Sequence, residues 1–258
     1  MIFKPVFPTR LHQITAELIR DYFSNIPAVD TVLVVNSCAR GQAVPESDLD
    51  FAIMIKPDTP LSEKTSIENA WQDYSQTNPI IIDYKRSNQF AHLHIDIVDG
   101  RYQAGVIGNG EPIDYFEVEI GNQIRYSAPL GNIGPYFKEL RNTWLPYYDE
   151  ELRLQRLEMS VNACEYDLAH IFLYMKRGLY FQSFDLLCKA FQEYLQALFI
   201  ANKTYPIAYN KWIKEQISTW LDMPDFYPRL PPILSVSDIE SNEIIEKANM
   251  LRRLLQSI

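Results

Sequence analysis

The feature that most constrains this chain is the run Val34-Val35-Asn36-Ser37-Cys38-Ala39-Arg40-Gly41-Gln42-Ala43-Val44-Pro45-Glu46-Ser47-Asp48-Leu49-Asp50-Phe51-Ala52-Ile53. Thr31 to Val35 is β-branched and aliphatic, a polar loop follows, and Asp50 to Ile55 is mostly apolar again. That pattern predicts two strands with a loop between them. Asp48 and Asp50 are one residue apart, so in an extended segment both carboxylates leave the same face of the strand. Leu49 and Phe51 then point into the core and hold the strand rigid. Two like charges so close are costly alone but become favourable around a hard divalent ion such as Mg²⁺, which prefers carboxylate oxygens. At the end of the first strand, Ser37 sits at a sharp turn where N–H groups of a following short helix would point at a phosphate.

A third carboxylate on a neighbouring strand would complete such a site, and Asp96, within His94-Ile95-Asp96-Ile97, is the candidate. A triad of this kind holds two metal ions that clamp the attacking and leaving oxygens of a phosphoryl transfer. Alternatively, Asp96 acts as general base on a substrate hydroxyl. His92 and His94 share the strand face of Asp96 and offer nitrogen ligands, although such histidines are more often hydrogen-bonded structural residues. Glu117 and Glu119 also share a face if their segment is extended, either as a base or as a solvated surface. Arg40 is read either as a phosphate contact or as a surface residue after a turn. Cys38 follows Ser37 at a helix start, where a lowered thiol pKa is conceivable; packing is its other reading.

At 258 residues the chain is expected to form two domains, given a usual domain length of about 100 to 200 residues. Its net charge of −9 repels polyanions, which argues against nucleic acid and favours a small phosphorylated ligand bound with a divalent cation. Three scattered cysteines make no disulfide framework, which suggests a reducing cytoplasm. Neither a signal-type apolar run near the N-terminus nor a stretch of about 20 apolar residues is seen, so no membrane span is expected. Periodicity predicts a helix over 9–23, another over 61–75, strands at 80–84 and 92–98, and a strand pair over 115–126 turning at Gly121-Asn122. Beyond that, helices are expected at 135–145, 150–177, 180–202, 208–221 and 237–256. The reading is α+β: a mixed-sheet domain over 1–133, then an α-helical bundle over 134–258.

The Asn36-Ser37, spacer, Asp48-x-Asp50 pattern resembles the Gly-Ser, spacer, Asp-x-Asp signature of the DNA polymerase β nucleotidyltransferase superfamily. The likeness covers Val32 to Ile55, includes Ala39-Arg40-Gly41 and Ser47-Asp48-Leu49-Asp50, and departs from the pattern where Asn36 replaces the usual glycine. The resemblance implies that residues 36 and 37, with Arg40 and Ser47 nearby, bind the nucleotide phosphates and that the aspartates bind Mg²⁺. The second half is more diffusely similar to the helical domains of aminoglycoside and lincosamide adenylyltransferases, through Ala190-Phe191, Leu198-Phe199, Ala201-Asn202, Tyr205-Pro206 and Lys211-Trp212. If so, Lys189 or Lys211 closes over the triphosphate and balances charge in the transition state. The function implied is transfer of a nucleoside monophosphate, AMP from ATP or another nucleoside triphosphate, to a small-molecule hydroxyl with release of pyrophosphate. The alternatives are AMP transfer to a protein partner and a catalytically silent nucleotide-binding module.

Overall fold

The computed structural model describes residues 2–105, 108 and 110–258. They divide into two compact units, Met1–Tyr102 with Glu119–Pro146, and Gln103–Val118 with Tyr147–Ile258. The boundary expected at 133/134 therefore falls inside the first unit.

In the first unit, helix α1 (Arg10–Ser24) starts at Thr9, whose Oγ1 accepts the His12 N–H at 3.3 Å. Its buried stripe is His12, Thr15, Ala16, Ile19 and Phe23. Strand β1 (Val29–Val34), the short helix α2 (Asn36–Arg40) and strand β2 (Leu49–Ile55) follow. Next come α3 (Leu61–Thr77), α4 (Pro79–Arg86) and β3 (Leu93–Val98). Helix α5 (Phe116–Ile120), whose residues up to Val118 belong to the second unit, continues into a π-helical turn over Gly121–Arg125 and is followed by β4 (Ala128–Pro129) and α6 (Pro135–Trp144). The sheet order is β3-β2-β1-β4, with β2 and β3 parallel and the other pairs antiparallel. Leu49, Phe51, Ile53 and Ile55 of β2 pack on one side of it against Ala16, Ile19, Phe23, Trp71 and Tyr84. The fold is α+β, a mixed sheet followed by a helical region.

Two segments expected to be extended, 80–84 and 115–126, are helical instead. The isoleucine run at 80–84 lies in α4, because Asn78 Oδ1 accepts the N–H groups of Ile80 and Ile81 and Pro79 occupies the first turn. An Asn-Pro start organises a helix strongly enough to override β propensity. The hairpin expected over 115–126 is also absent. Phe116, Ile120 and Ile124 are all buried, and their four-residue spacing is that of a helix face, which prevails over the period-two pattern of the same segment. Glu117 and Glu119 consequently do not share a strand face.

The second unit contains α7 (Glu150–Met175), capped by Asp149, and α8 (Tyr180–Ala201). A single turn α9 (Ile213–Glu215) runs into a π-helical turn over Gln216–Trp220, and α10 (Glu243–Leu255) follows two 3₁₀ turns. Leu168, Ile171, Leu187, Tyr194, Leu195, Phe199 and Leu251 form the centre of its core. The helix expected over 208–221 starts late because Trp212 is left-handed, with φ 56°. That expected over 237–256 begins only at Glu243, whose carboxylate accepts from the Ser237 N–H and hydroxyl. Among the described residues, no helix is long and apolar enough to cross a membrane.

Candidate metal site on strands β2 and β3

Strand β1 hands directly to the turn the sequence singled out. The Val35 N–H donates to the Asp50 carbonyl at 3.0 Å, and Asn36 then adopts a left-handed φ of 57°. Asparagine is among the few residues that tolerate this conformation, so the glycine departure leaves the turn intact. Asn36 is exposed, Ser37 half-buried, and α2 ends at Gly41, whose φ of 71° suits glycine. Arg40 is half-buried in the last turn of α2. Cys38 is 1% exposed, and burial, reinforced by Asp50 and Asp48, pushes its thiol up to about 12. The conceivable lowered thiol pKa is thus reversed, and Cys38 is a packing residue.

The loop leading to Asp48 is fixed by residues far away in sequence. The Val44 N–H donates to Ser47 Oγ at 2.9 Å and the Ser47 N–H to the Val44 carbonyl at 2.9 Å, so the Ser47 hydroxyl closes its own turn. The Ser47 carbonyl accepts from His12 Nε2 at 2.9 Å and from the Tyr84 hydroxyl at 3.1 Å. Because a carbonyl only accepts, Nε2 carries the proton, and Nδ1 takes the Thr9 hydroxyl at 2.7 Å. His12 is 2% exposed and sits edge-on to Tyr84, with ring centroids 5.1 Å apart. Neither residue was singled out from sequence. The only available signal was a histidine one position after an apolar residue of an amphipathic helix.

Beyond this anchor β2 is buried along its whole length, with Leu49 fully buried, Asp50 9% exposed and Phe51 1% exposed, and Asp48, half-buried, immediately precedes it. The parallel register sets Asp50 beside His94 and Ala52 beside Asp96. Carboxylate oxygens of Asp48 and Asp50 and a ring nitrogen of His94 all lie within 4.8 Å of one another. His94 Nε2 is 3.6 Å from Asp48 Oδ2, with side chains 57% and 40% exposed. Asp96 lies on the same strand face two residues further along, exposed, and is not a member of this group. His92, also exposed, has its ring tilted at 53° to that of His94 with centroids 6.1 Å apart, and its carbonyl accepts the Leu49 N–H.

The remaining expected residues lie elsewhere. Glu119 is exposed in the first unit. Glu117 belongs to the second unit, fully buried; Arg156 donates to both of its oxygens, Tyr148 to Oε1 at 2.8 Å and Gln196 to Oε2 at 3.2 Å. Arg156 also reaches Asp114 through two nitrogens, at 2.9 and 2.6 Å. Lys189 Nζ lies 2.8 Å from Asp167 Oδ2 and 3.5 Å from Glu193 Oε1, both residues being nearly fully buried. Lys211 is exposed, and its carbonyl accepts from the Gln216 side chain at 2.7 Å. The geometry therefore brings together Asp48 and Asp50 with His94, at the end of a rigid loop that begins at Asn36-Ser37.

No family model matches the chain. No curated protein matches it either. Among solved structures, it is similar to a nucleotidyltransferase-like protein from Exiguobacterium sibiricum 255-15, at 13% identity and a TM-score of 0.45, covering 96% of this chain and 75% of that one. A likeness of that size decides neither fold nor activity, and the case for the site stands on the geometry of β2, β3 and the loop between β1 and β2.

Proposed function

We propose that the chain is a nucleotidyltransferase that moves a nucleoside monophosphate, AMP from ATP, to a hydroxyl of a small molecule and releases pyrophosphate. The observation that carries this reading is the pair Asp48 and Asp50, just before and within the buried strand β2, with carboxylate oxygens within 4.8 Å of each other, reached through a loop that starts at the Asn36-Ser37 turn. Oxygen donors from two carboxylates within 4.8 Å of each other suit a divalent cation such as Mg²⁺. When bound, such an ion offsets the charge of the nucleotide phosphates.

The roles of the chain's own groups follow from where they sit. Asp48 and Asp50 hold the cation, and the rigidity of β2 with the anchored Ser47 carbonyl keeps them aligned. Asn36 and Ser37 offer backbone and hydroxyl donors to phosphate, with Arg40 on the same short helix. Asp96, exposed on the same strand face, is free in position to accept the proton of an attacking hydroxyl. The acidic balance favours a small acceptor over nucleic acid.

Calorimetric titration with ATP, GTP, CTP and UTP, with and without Mg²⁺, tests the reading. The expected result is metal-dependent binding of one nucleotide that disappears in the Asp48→Asn/Asp50→Asn double variant while its melting temperature is retained. Failure of the folded protein to bind any nucleotide would overturn it and leave a catalytically silent relative.

A further inference from the structure

We propose that His94 supplies the third protein ligand of the Asp48–Asp50 site, and that this nitrogen donor makes the site prefer a divalent transition ion over Mg²⁺. The inference rests on the reading that the two aspartates bind a divalent cation and goes further by naming the third donor and the ion it selects.

Register is the first reason. In the parallel pairing of β2 with β3, His94 is the direct neighbour of Asp50, whereas Asp96 pairs with Ala52. Neighbouring strands lie about 4.8 Å apart, so directly paired side chains on one face reach a common point more readily than diagonal ones. The carboxylate expected to complete a three-acid set is thus displaced by two residues along the strands, and an imidazole stands in the nearer place.

Distance is the second reason. His94 Nε2 and Asp48 Oδ2 are 3.6 Å apart. That is longer than an N–H···O hydrogen bond, whose usual range ends near about 3.2 Å. It is close to the separation of two donors sharing one ion: with bonds of about 2.1 Å, neighbouring ligands stand about 3.0 Å apart in an octahedron and about 3.4 Å in a tetrahedron. The His94 side chain is 57% exposed and has room for the small closing movement.

Ligand chemistry sets the preference. Mg²⁺ favours an all-oxygen shell and gains little from imidazole, while first-row transition ions accept nitrogen readily and rise in affinity from Mn²⁺ to Co²⁺. An Asp, Asp, His set should therefore rank Co²⁺ above Mn²⁺ and Mn²⁺ above Mg²⁺.

The test titrates the full chain with Mg²⁺, Mn²⁺ and Co²⁺ and records pulsed paramagnetic resonance of the Mn²⁺ form. The expected result is Mn²⁺ bound at least tenfold more tightly than Mg²⁺, with nitrogen modulation from a coordinated imidazole. In His94→Ala that modulation should vanish and Mn²⁺ affinity fall about tenfold with Mg²⁺ affinity little changed, whereas His94→Asp should bring the two ions within a fewfold of each other. Because His94 is exposed, melting temperatures should match the parent and separate ligand loss from misfolding. Mn²⁺ binding that needs Asp48 and Asp50 but shows no nitrogen signal would overturn the role of His94 while leaving the aspartate site standing. An absence of binding for all three ions would overturn both.

Discussion

Two polar residues, one at each end of the candidate site, show how much a single side chain decides here. Asn36 carries a positive φ where a β-branched or bulky residue would be strained, so the turn after β1 survives without the glycine that the resembling family uses. His12 donates to the same Ser47 carbonyl as Tyr84 and so ties α1 and α4 to the residue just before Asp48. Truncating His12 to Ala removes one of these two donors, strands the Thr9 hydroxyl and leaves a void among buried side chains. Such losses cost about 1 to 3 kcal/mol. His12→Ala should lower stability by that amount in urea unfolding and weaken divalent-ion binding in calorimetry, although His12 is no ligand. Unchanged ion affinity in the folded variant would show that the loop does not depend on this anchor.

Among the elements, α6 has the clearest dependence on one contact. Its N-terminal N–H groups at Tyr136 and Phe137 donate to the two oxygens of Asp30 at 3.1 and 3.0 Å, and the Gly134 N–H donates to Thr31 Oγ1 at 2.9 Å. A carboxylate at a helix start satisfies otherwise unpaired donors and meets the positive end of the helix dipole. The approach is so close that a Cβ on Gly134 would lie 2.2 Å from the Asp30 carboxylate. Gly134→Ala must push Asp30 off the helix end and should cost about 1 to 3 kcal/mol, as overpacking does. Asp30→Ala removes the cap alone and should cost about 0.5 to 2 kcal/mol. If the double variant loses much less than the sum of the single losses in thermal unfolding, the two act through this one contact; strict additivity would contradict it.

At the scale of the whole molecule, stability should depend on pH through the buried acidic groups of the second unit, Glu193 above all. Glu193 is 2% exposed; burial, aided by Asp167 and opposed by Lys189, raises its carboxyl from the ordinary 4.5 to about 8. Between those values the folded chain holds a proton that the unfolded chain releases. The stability this contributes is therefore complete below about pH 4.5 and is lost as pH rises toward 8, at about 1.4 kcal/mol per unit of pKa difference. Urea unfolding from pH 5 to 8.5 should show this decline, and Glu193→Gln should flatten it and raise stability at the alkaline end; an unaltered slope would remove Glu193 as its source. The same cluster engages Lys189, which lies against Asp167 and Glu193. What could be read from sequence was whatever short-range patterning encodes: the β1–loop–β2 run, the alternation that puts Asp48 and Asp50 on one face, and the long helices of the second half. Local signals also misled, as at 80–84 and 115–126, where an isoleucine run and a Phe116, Val118, Ile120 alternation suited either period and a cap or a buried helical stripe settled the outcome. Only the tertiary structure decided that His94, not Asp96, stands beside Asp50, that His12 and Tyr84 hold the loop, and that Glu117 is sealed against Arg156. Each of these depends on strand register or on contacts between residues tens of positions apart, and the chain closes such contacts only when its whole core packs.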